Sequence, residues 1–219
     1  MNNRRMPDRP RLPVRRAAAR DAREIAPRTL SQEILETARA LLNEQGAAAL
    51  SMREVARRAQ VTHQAPYHHF GDRESILAEL VAQGFDELAR SLSRATDRAS
   101  SNGAEALAQA AGEAYVGFAL ANPGVFRVMF SRDLCDPKRF PGVMASGQRA
   151  HAELERLVRI VHGDGAGGEW QDLYWAHVHG LSSLLLDGPL ALRFASGAQR
   201  QAHARRVTRL FAKLVATAH

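Results

Sequence analysis

The chain has one cysteine, Cys135, in 219 residues. An internal disulfide is therefore excluded, nothing argues for an oxidising compartment, and Cys135 reads as a bland, partly buried thiol. No apolar run approaches the roughly 18 residues of a membrane span, and no apolar stretch of signal-peptide type follows the N-terminal arginines. A cytoplasmic protein with no membrane partner is expected. Aromatic residues make up 6% of the chain, and Ala, Leu and Arg outnumber β-branched residues, a mixture that favours helix. Chemistry is also thinly provided for: there is no nucleophile with a base at plausible spacing, no glycine-rich phosphate loop and no carboxylate pair on one helix face. These absences point to an all-α protein with no catalytic residues and no cofactor.

What the chain does have is positive charge, unevenly placed. The net charge is +7, and nine arginines lie between Met1 and Arg28 against three acids, Asp8, Asp21 and Glu24. Prolines at positions 7, 10, 13 and 27, with few large apolar residues, mark 1–28 as a disordered basic arm. Such an arm reads equally as a DNA contact or as a solvated tail.

A second concentration is histidine. The stretch "VTHQAPYHHFGDRESIL" holds His63, His68 and His69. On a helix, side chains converge when they are three or four positions apart. His63 and His68 diverge by about 140° and His68 and His69 by about 100° at 3.6 residues per turn. No cysteine lies nearby, and Asp72 sits where a helix cap is wanted, so no metal site is expected.

The helical pattern around that stretch accounts for it differently. Ile34, Leu35, Ala38, Leu41 and Leu42 share one face of a helix from about Leu30 to Gln45, which Gly46 ends. Ser51 and Glu54 have capping-box spacing for a second helix to about Ala59, with Val55, Ala56 and Ala59 inward and Arg53, Arg57 and Arg58 outward. Thr62 can cap a short third helix through His69, with Pro66 in its first turn and Phe70 turned to the core. Gly71 then stops it, and Asp72 caps a long fourth helix carrying Ile76, Leu77, Leu80, Val81, Phe85, Leu88 and Leu92.

Two short helices joined by a tight turn are a helix-turn-helix. The run "LETARALLNEQGAAALSMREVARRAQVTHQAPYHHFGDRESILAEL" resembles the DNA-binding domain of the TetR family of transcriptional regulators over about Thr29 to Leu88. Many members have glycine where this chain has Gln60, and a positive φ there costs the glutamine roughly 1 kcal/mol. The resemblance implies that Thr62, His63, Gln64 and Ala65 enter the major groove. Gln64 suits adenine N6 and N7, and Ala65 suits a thymine methyl. Tyr67 and His68 match positions that contact phosphate. Arg53 and Arg73, near the starts of the second and fourth helices, add charge where helix dipoles favour phosphate. His69 is expected beside Phe70.

Farther on, "GEAYVGFALANPGVFRVMF" reads as a helix, a break at Asn122-Pro123-Gly124 and a short helix. Tyr115, Phe118, Phe126, Met129 and Phe130 share an apolar face, which by spacing alone means core before ligand site. The segment "YWAHVHGLSSLLLDG" resembles a TetR subgroup named for a Trp-His-Gly motif, here Trp175, His179 and Gly180. Trp175 and His179 are four apart and share a face, while His177 points away from it. Gly180 leaves room for a close approach. By this resemblance the domain binds an effector, with Phe118, Phe126, Met129, Phe130, Trp175 and His179 as the ligand-binding candidates. An apolar or aromatic molecule is expected, because few cations beyond Arg127 and Arg132 are available to hold an anion.

The last helix carries Val207, Leu210, Phe211, Leu214 and Val215 at helical spacing. By resemblance this stripe and the Leu181–Leu186 region form a four-helix homodimer interface; packing within the chain is the alternative. The expected organisation is thus a basic arm (1–28), a three-helix DNA-binding domain (29–73) and a helical effector-binding and dimerisation domain (74–219). The expected partners are an operator in double-stranded DNA, a small-molecule effector and a second copy of the chain. A non-sequence-specific architectural DNA protein is the competing reading, and the basic arm would suit it.

Overall fold

The computed structural model describes residues 28–131, 133, 136 and 138–218. Residues 1–27 of the expected basic arm, Arg132 and Cys135 lie outside the described residues. Ten α-helices and no strand occur among those described: α1 (Leu30–Gln45), α2 (Met52–Arg58), α3 (Ala65–Phe70), α4 (Arg73–Ala99), α5 (Gly103–Ala121), α6 (Pro123–Met129), α7 (Pro141–His162), α8 (Gly168–Leu186), α9 (Pro189–Arg193) and α10 (Gly197–Thr217). The all-α architecture is as expected.

The helix starts follow from local hydrogen bonding. Thr29 Oγ1 accepts from the Gln32 N–H at 3.3 Å while Gln32 Oε1 accepts from the Thr29 N–H at 2.9 Å, a reciprocal cap on α1. Ser51 caps α2 through the Glu54 N–H at 3.2 Å. The return half of that box is missing, because the Glu54 carboxylate is taken by Arg57 and Arg58. Asp72 caps α4 by accepting from the Ser75 N–H at 2.8 Å and the Ser75 hydroxyl at 2.7 Å, bonds that hold its carboxyl below the usual range.

α1, α2 and α3 pack around Ile34, Leu41, Leu42 and Val55, with Ile76, Leu77 and Leu80 of α4 completing the core; all are essentially inaccessible to water. Burying each such side chain contributes about 1.5–3 kcal/mol. α4 then continues out of this unit and packs on α5, α6 and α7, while α5 also packs on α8 and α10.

The junction between the two parts is tight. A Cβ on Gly124, in the first turn of α6, would lie 2.1 Å from the Leu42 carbonyl oxygen of α1, so only glycine permits this crossing. Asn43 of α1 caps α6 across the chain: its Oδ1 accepts from the Gly124 N–H at 2.9 Å and the Val125 N–H at 3.3 Å. Beside it, the Arg39 guanidinium donates to Glu87 at 2.9 Å and Gln83 at 3.2 Å on α4, and to Asn122 at 3.4 Å at the head of α6.

Candidate DNA interface and small-molecule cavity

The turn between α2 and α3 is a Schellman motif. The Val61 N–H donates to the Ala56 carbonyl at 3.1 Å and the Gln60 N–H to the Arg57 carbonyl at 3.3 Å, with Gln60 at φ 57°. Gln60 is the only non-glycine residue with positive φ among those described, so the strain anticipated at this position is present. The chain then turns over 62–65, where the Ala65 N–H donates to the Thr62 carbonyl at 3.0 Å.

α3 begins two residues later than a Thr62 cap implies. A start at Ala65 puts Pro66 at the second helical position, where its missing N–H has no partner to lose. Gln64 occupies the N-cap position but its side chain caps nothing, which leaves the amide unused and exposed. Thr62, His63, Tyr67 and His68 are exposed on the same short unit, with the His63 and Tyr67 rings 5.7 Å apart. His69, also exposed, lies beside Phe70 at 6.3 Å.

Two assignments change. Ala65 is buried, 8% exposed, because the later helix start turns its methyl into the core; it is not available to a thymine methyl. Arg73 is not a free cation for phosphate: its Nε donates to the Leu50 carbonyl at 2.7 Å and its Nη2 to the Ala47 carbonyl at 2.6 Å, tying α4 to the loop before α2. Arg53 is exposed and pairs with no carboxylate among the described residues. The neighbouring arginines are neutralised, Arg57 by Glu54 at 2.6 Å and Arg58 by Glu44 at 2.7 Å. The hydrogen bond from Arg57, with help from Arg58, holds the Glu54 carboxyl down at about 2.

A cavity of about 280 Å³ lies between α4, α5, α7, α8 and α10. Its lining includes small residues, Ala108, Ala111 and Gly112 on α5 and Gly147 and Ala150 on α7. Phe85, Phe130, Tyr174, Trp175 and Phe211 supply aromatic wall. Of the six ligand candidates, only Phe130 and Trp175 line it. Phe118, Phe126 and Met129 are buried at 7%, 3% and 8% exposure and pack behind the wall as core. Phe126, for example, sits edge-on to Phe130 at 5.2 Å and to Tyr115 at 6.0 Å.

His179 is also withdrawn from the cavity wall. Its Nδ1 lies 3.1 Å from the Tyr115 hydroxyl. Which of the two donates follows from the tautomer of the ring. Burial lowers the His179 pKa and keeps the ring neutral, and burial raises that of Tyr115. Trp175 and His179 thus share a face, as their spacing requires, but the work of that face is to fix α5 against α8. The α8 histidine on the wall is His177, its ring stacked flat on Phe211 at 3.9 Å and 5°. A Cβ on Gly180 would meet nothing within 4 Å, so no close approach occurs there within this chain.

Asn43, Gly124, Glu153 and His177 were not singled out as site residues from sequence. Asn43 and Gly124 act through a contact eighty residues apart, and Glu153 belongs to an ordinary charged helix face. Asn122-Pro123-Gly124 did mark the break that makes the crossing possible.

A three-helix unit presenting a short exposed helix after a tight turn, carried on a larger helical body with its own cavity, defines a helix-turn-helix regulator. Residues 34–80 match the family model described as bacterial regulatory proteins, tetR family, and residues 108–211 match that of the tetracyclin repressor-like C-terminal domain. The chain belongs to the TetR family of DNA-binding transcriptional regulators. It is 28% identical over 139 residues to the HTH-type transcriptional regulator Rv1816 of Mycobacterium tuberculosis, a stretch covering 64% of this chain and 55% of that protein. The chain therefore spans about half the length of the curated relatives it matches. A Rhodococcus sp. RHA1 protein of unknown function superposes with a TM-score of 0.67 at 29% identity, over 86% of this chain and 97% of that one. The TetR family regulator PfmR of Thermus thermophilus shares the fold, with a TM-score of 0.63 at 22% identity over 88% and 98%. No helix among the described residues is long and apolar enough to cross a membrane.

Proposed function

We propose that this regulator is a homodimeric repressor, acting in the cytoplasm and without catalysis, that leaves an inverted-repeat operator when a small molecule with an apolar body enters the cavity. The division of labour is residues 29–73 for DNA and 74–219 for effector and dimerisation. The observation that carries the reading is the junction at α6. Phe130, on the cavity wall, immediately follows α6, whose first turn is capped by Asn43 of α1 and pressed against the α1 backbone at Gly124. A ligand that displaces Phe130 pushes on a rigid short helix, and the helix meets the scaffold of α3 with no slack. Because coupling is reciprocal, a molecule that weakens operator binding by about 1–3 kcal/mol is itself bound more weakly by the DNA complex to the same degree.

On the DNA side the assigned reader is Gln64, with Thr62 and His63 alongside it and Tyr67, His68 and Arg53 positioning the helix on phosphates. The dimer face is assigned to α8 and α10. Leu173 and Leu184 on α8 and Leu210 and Leu214 on α10 are 44% to 70% exposed, although Val215, Ala212 and Thr208 of α10 are turned inward. Gly180 stands between the two α8 leucines with open space over it, room for a partner helix to come close. The same Trp175, His179 and Gly180 support placing the chain in the Trp-His-Gly subgroup.

The test is selection of bound fragments from random duplex DNA, followed by the mass of the complex on the selected site. The reading requires a dyad whose half-sites lie about one turn, ~34–36 Å, or more apart, and two protomers per site. Retained fragments with no shared sequence would instead support an architectural DNA protein.

A further inference from the structure

We propose that the cavity takes a hydrophobic organic cation about two aromatic rings in size, its charge met by Glu153 and an N–H or hydroxyl met by His177. The inference rests on the reading of this cavity as the effector site and names the class of molecule that fits it.

The polar groups on the wall are few, and nearly all are occupied. The Tyr115 hydroxyl is engaged with His179 and the Tyr174 hydroxyl with His162 at 3.1 Å. Thr208 donates to the Ala204 carbonyl at 3.0 Å, Thr96 donates to Leu92 and Ser93 and accepts from Arg156, and His151 faces Glu155 at 3.3 Å. Two side-chain atoms remain, both buried and without a hydrogen-bond partner: Glu153 Oε2 on α7 and His177 Nε2 on α8. The nearest cation to Glu153 Oε2 is Arg156 Nε at 3.8 Å, beyond hydrogen-bond reach, and its guanidinium is committed to Thr96 and Asp97.

An unpartnered buried polar atom costs its full desolvation penalty, so native proteins rarely keep one without a use. Here two of them, from different helices, line one cavity. No lysine or arginine lines it with them. That composition sets the sign of the ligand's charge. An anion would meet a carboxylate whose one nearby cation, Arg156, is already committed to Asp97, and a pure hydrocarbon would leave both atoms dry. An ammonium or protonated heteroaromatic group satisfies Glu153 with a charge-assisted bond. The neutral His177 ring takes a donor or gives one according to its tautomer. The aromatic wall around Trp175 adds attraction for a cation over a ring face.

Size follows from volume. A cavity of about 150 Å³ admits benzene; one of about 280 Å³ admits roughly twice that.

The probes are naphthylmethylamine, naphthylmethanol and naphthoate, which share a two-ring body and differ in charge, titrated calorimetrically into the full chain near neutral pH. The amine is expected to bind at least about tenfold more tightly than the alcohol, the range of a hydrogen bond to a charged group, with naphthoate weakest. Glu153→Gln, which keeps the shape, is expected to erase most of the amine's advantage and leave the alcohol's affinity in place. His177→Phe, which keeps the stack on Phe211, is expected to weaken amine and alcohol alike. The proposal is overturned if naphthoate or the alcohol binds as well as the amine, or if the amine's advantage survives in Glu153→Gln. Binding of all three probes equally would sink the charge assignment and leave the cavity as an effector site. Binding of none to the folded protein would overturn the effector reading and this proposal together.

Discussion

Replacing Gln60 by glycine isolates one backbone term. Gln60 sits at φ 57° in the Schellman motif that ends α2, and its exposed side chain makes no hydrogen bond. A Cβ in the left-handed region costs roughly 1–2 kcal/mol, which glycine avoids. Against this, glycine loosens the unfolded chain by roughly 0.4–1 kcal/mol. The difference favours the folded state by about 0.5–1 kcal/mol in Gln60→Gly, or about 1–4 °C in melting temperature for a chain this size. Urea unfolding followed by circular dichroism measures it, with Gln60→Ala as the control because alanine keeps the Cβ and gains nothing. Operator affinity is expected to hold, since the turn geometry is unchanged. If Gln60→Gly fails to stabilise, or if alanine stabilises equally, backbone strain at this turn is not the operating term.

Gly124→Ala forces the α6 backbone away from Leu42 and is expected to cost about 1–3 kcal/mol of stability and to loosen the effector's hold on DNA binding; a thermal melt and a ligand-release titration read the two effects. Burial lowers the pKa of His177 and His179, so the unfolded chain binds protons first: this contribution is complete above about 6.5, the ordinary histidine value, and is lost as pH falls from there toward the lowered folded values. Urea midpoints between pH 7 and 5 are expected to fall, and less steeply in His177→Phe. Removing residues 1–23 is expected to flatten the slope of log K against log salt by about 0.9 for each phosphate that the arm no longer neutralises, without changing the preferred sequence, and an unchanged slope would mark the arm as a tail.

Where local chemistry decides, sequence was enough. Asp72, Gly71 and the periodicity of Ile76, Leu77, Leu80 and Val81 mark α4, and the family motif located the turn and even its strained residue. Where one side chain has two claims on it, sequence could not choose. Pro66 is tolerated at either of two positions, and the later start carries Ala65 from surface to core. Arg73 at a helix start is an ordinary phosphate ligand until Leu50 and Ala47 present their carbonyls. The cavity was illegible for a different reason: its lining is drawn from five helices between Phe85 and Phe211, whereas the conspicuous aromatics Phe118 and Phe126 fill space and do not enclose it. His177 and His179 differ by two positions, and which of them reaches the cavity depends on Tyr115 claiming the other.

The central claim is that α3 reads DNA sequence through Gln64 as part of a twofold assembly. The most direct measurement is a base-by-base affinity profile of the selected operator for the wild type, Gln64→Ala and Tyr67→Phe. The account predicts that Gln64→Ala loses roughly 1–3 kcal/mol and relaxes preference at one base pair per half-site, at positions related by the dyad. Tyr67→Phe is predicted to weaken all sequences about equally. A Gln64→Ala profile as uniform as that of Tyr67→Phe, or one changed in a single half-site, would contradict it.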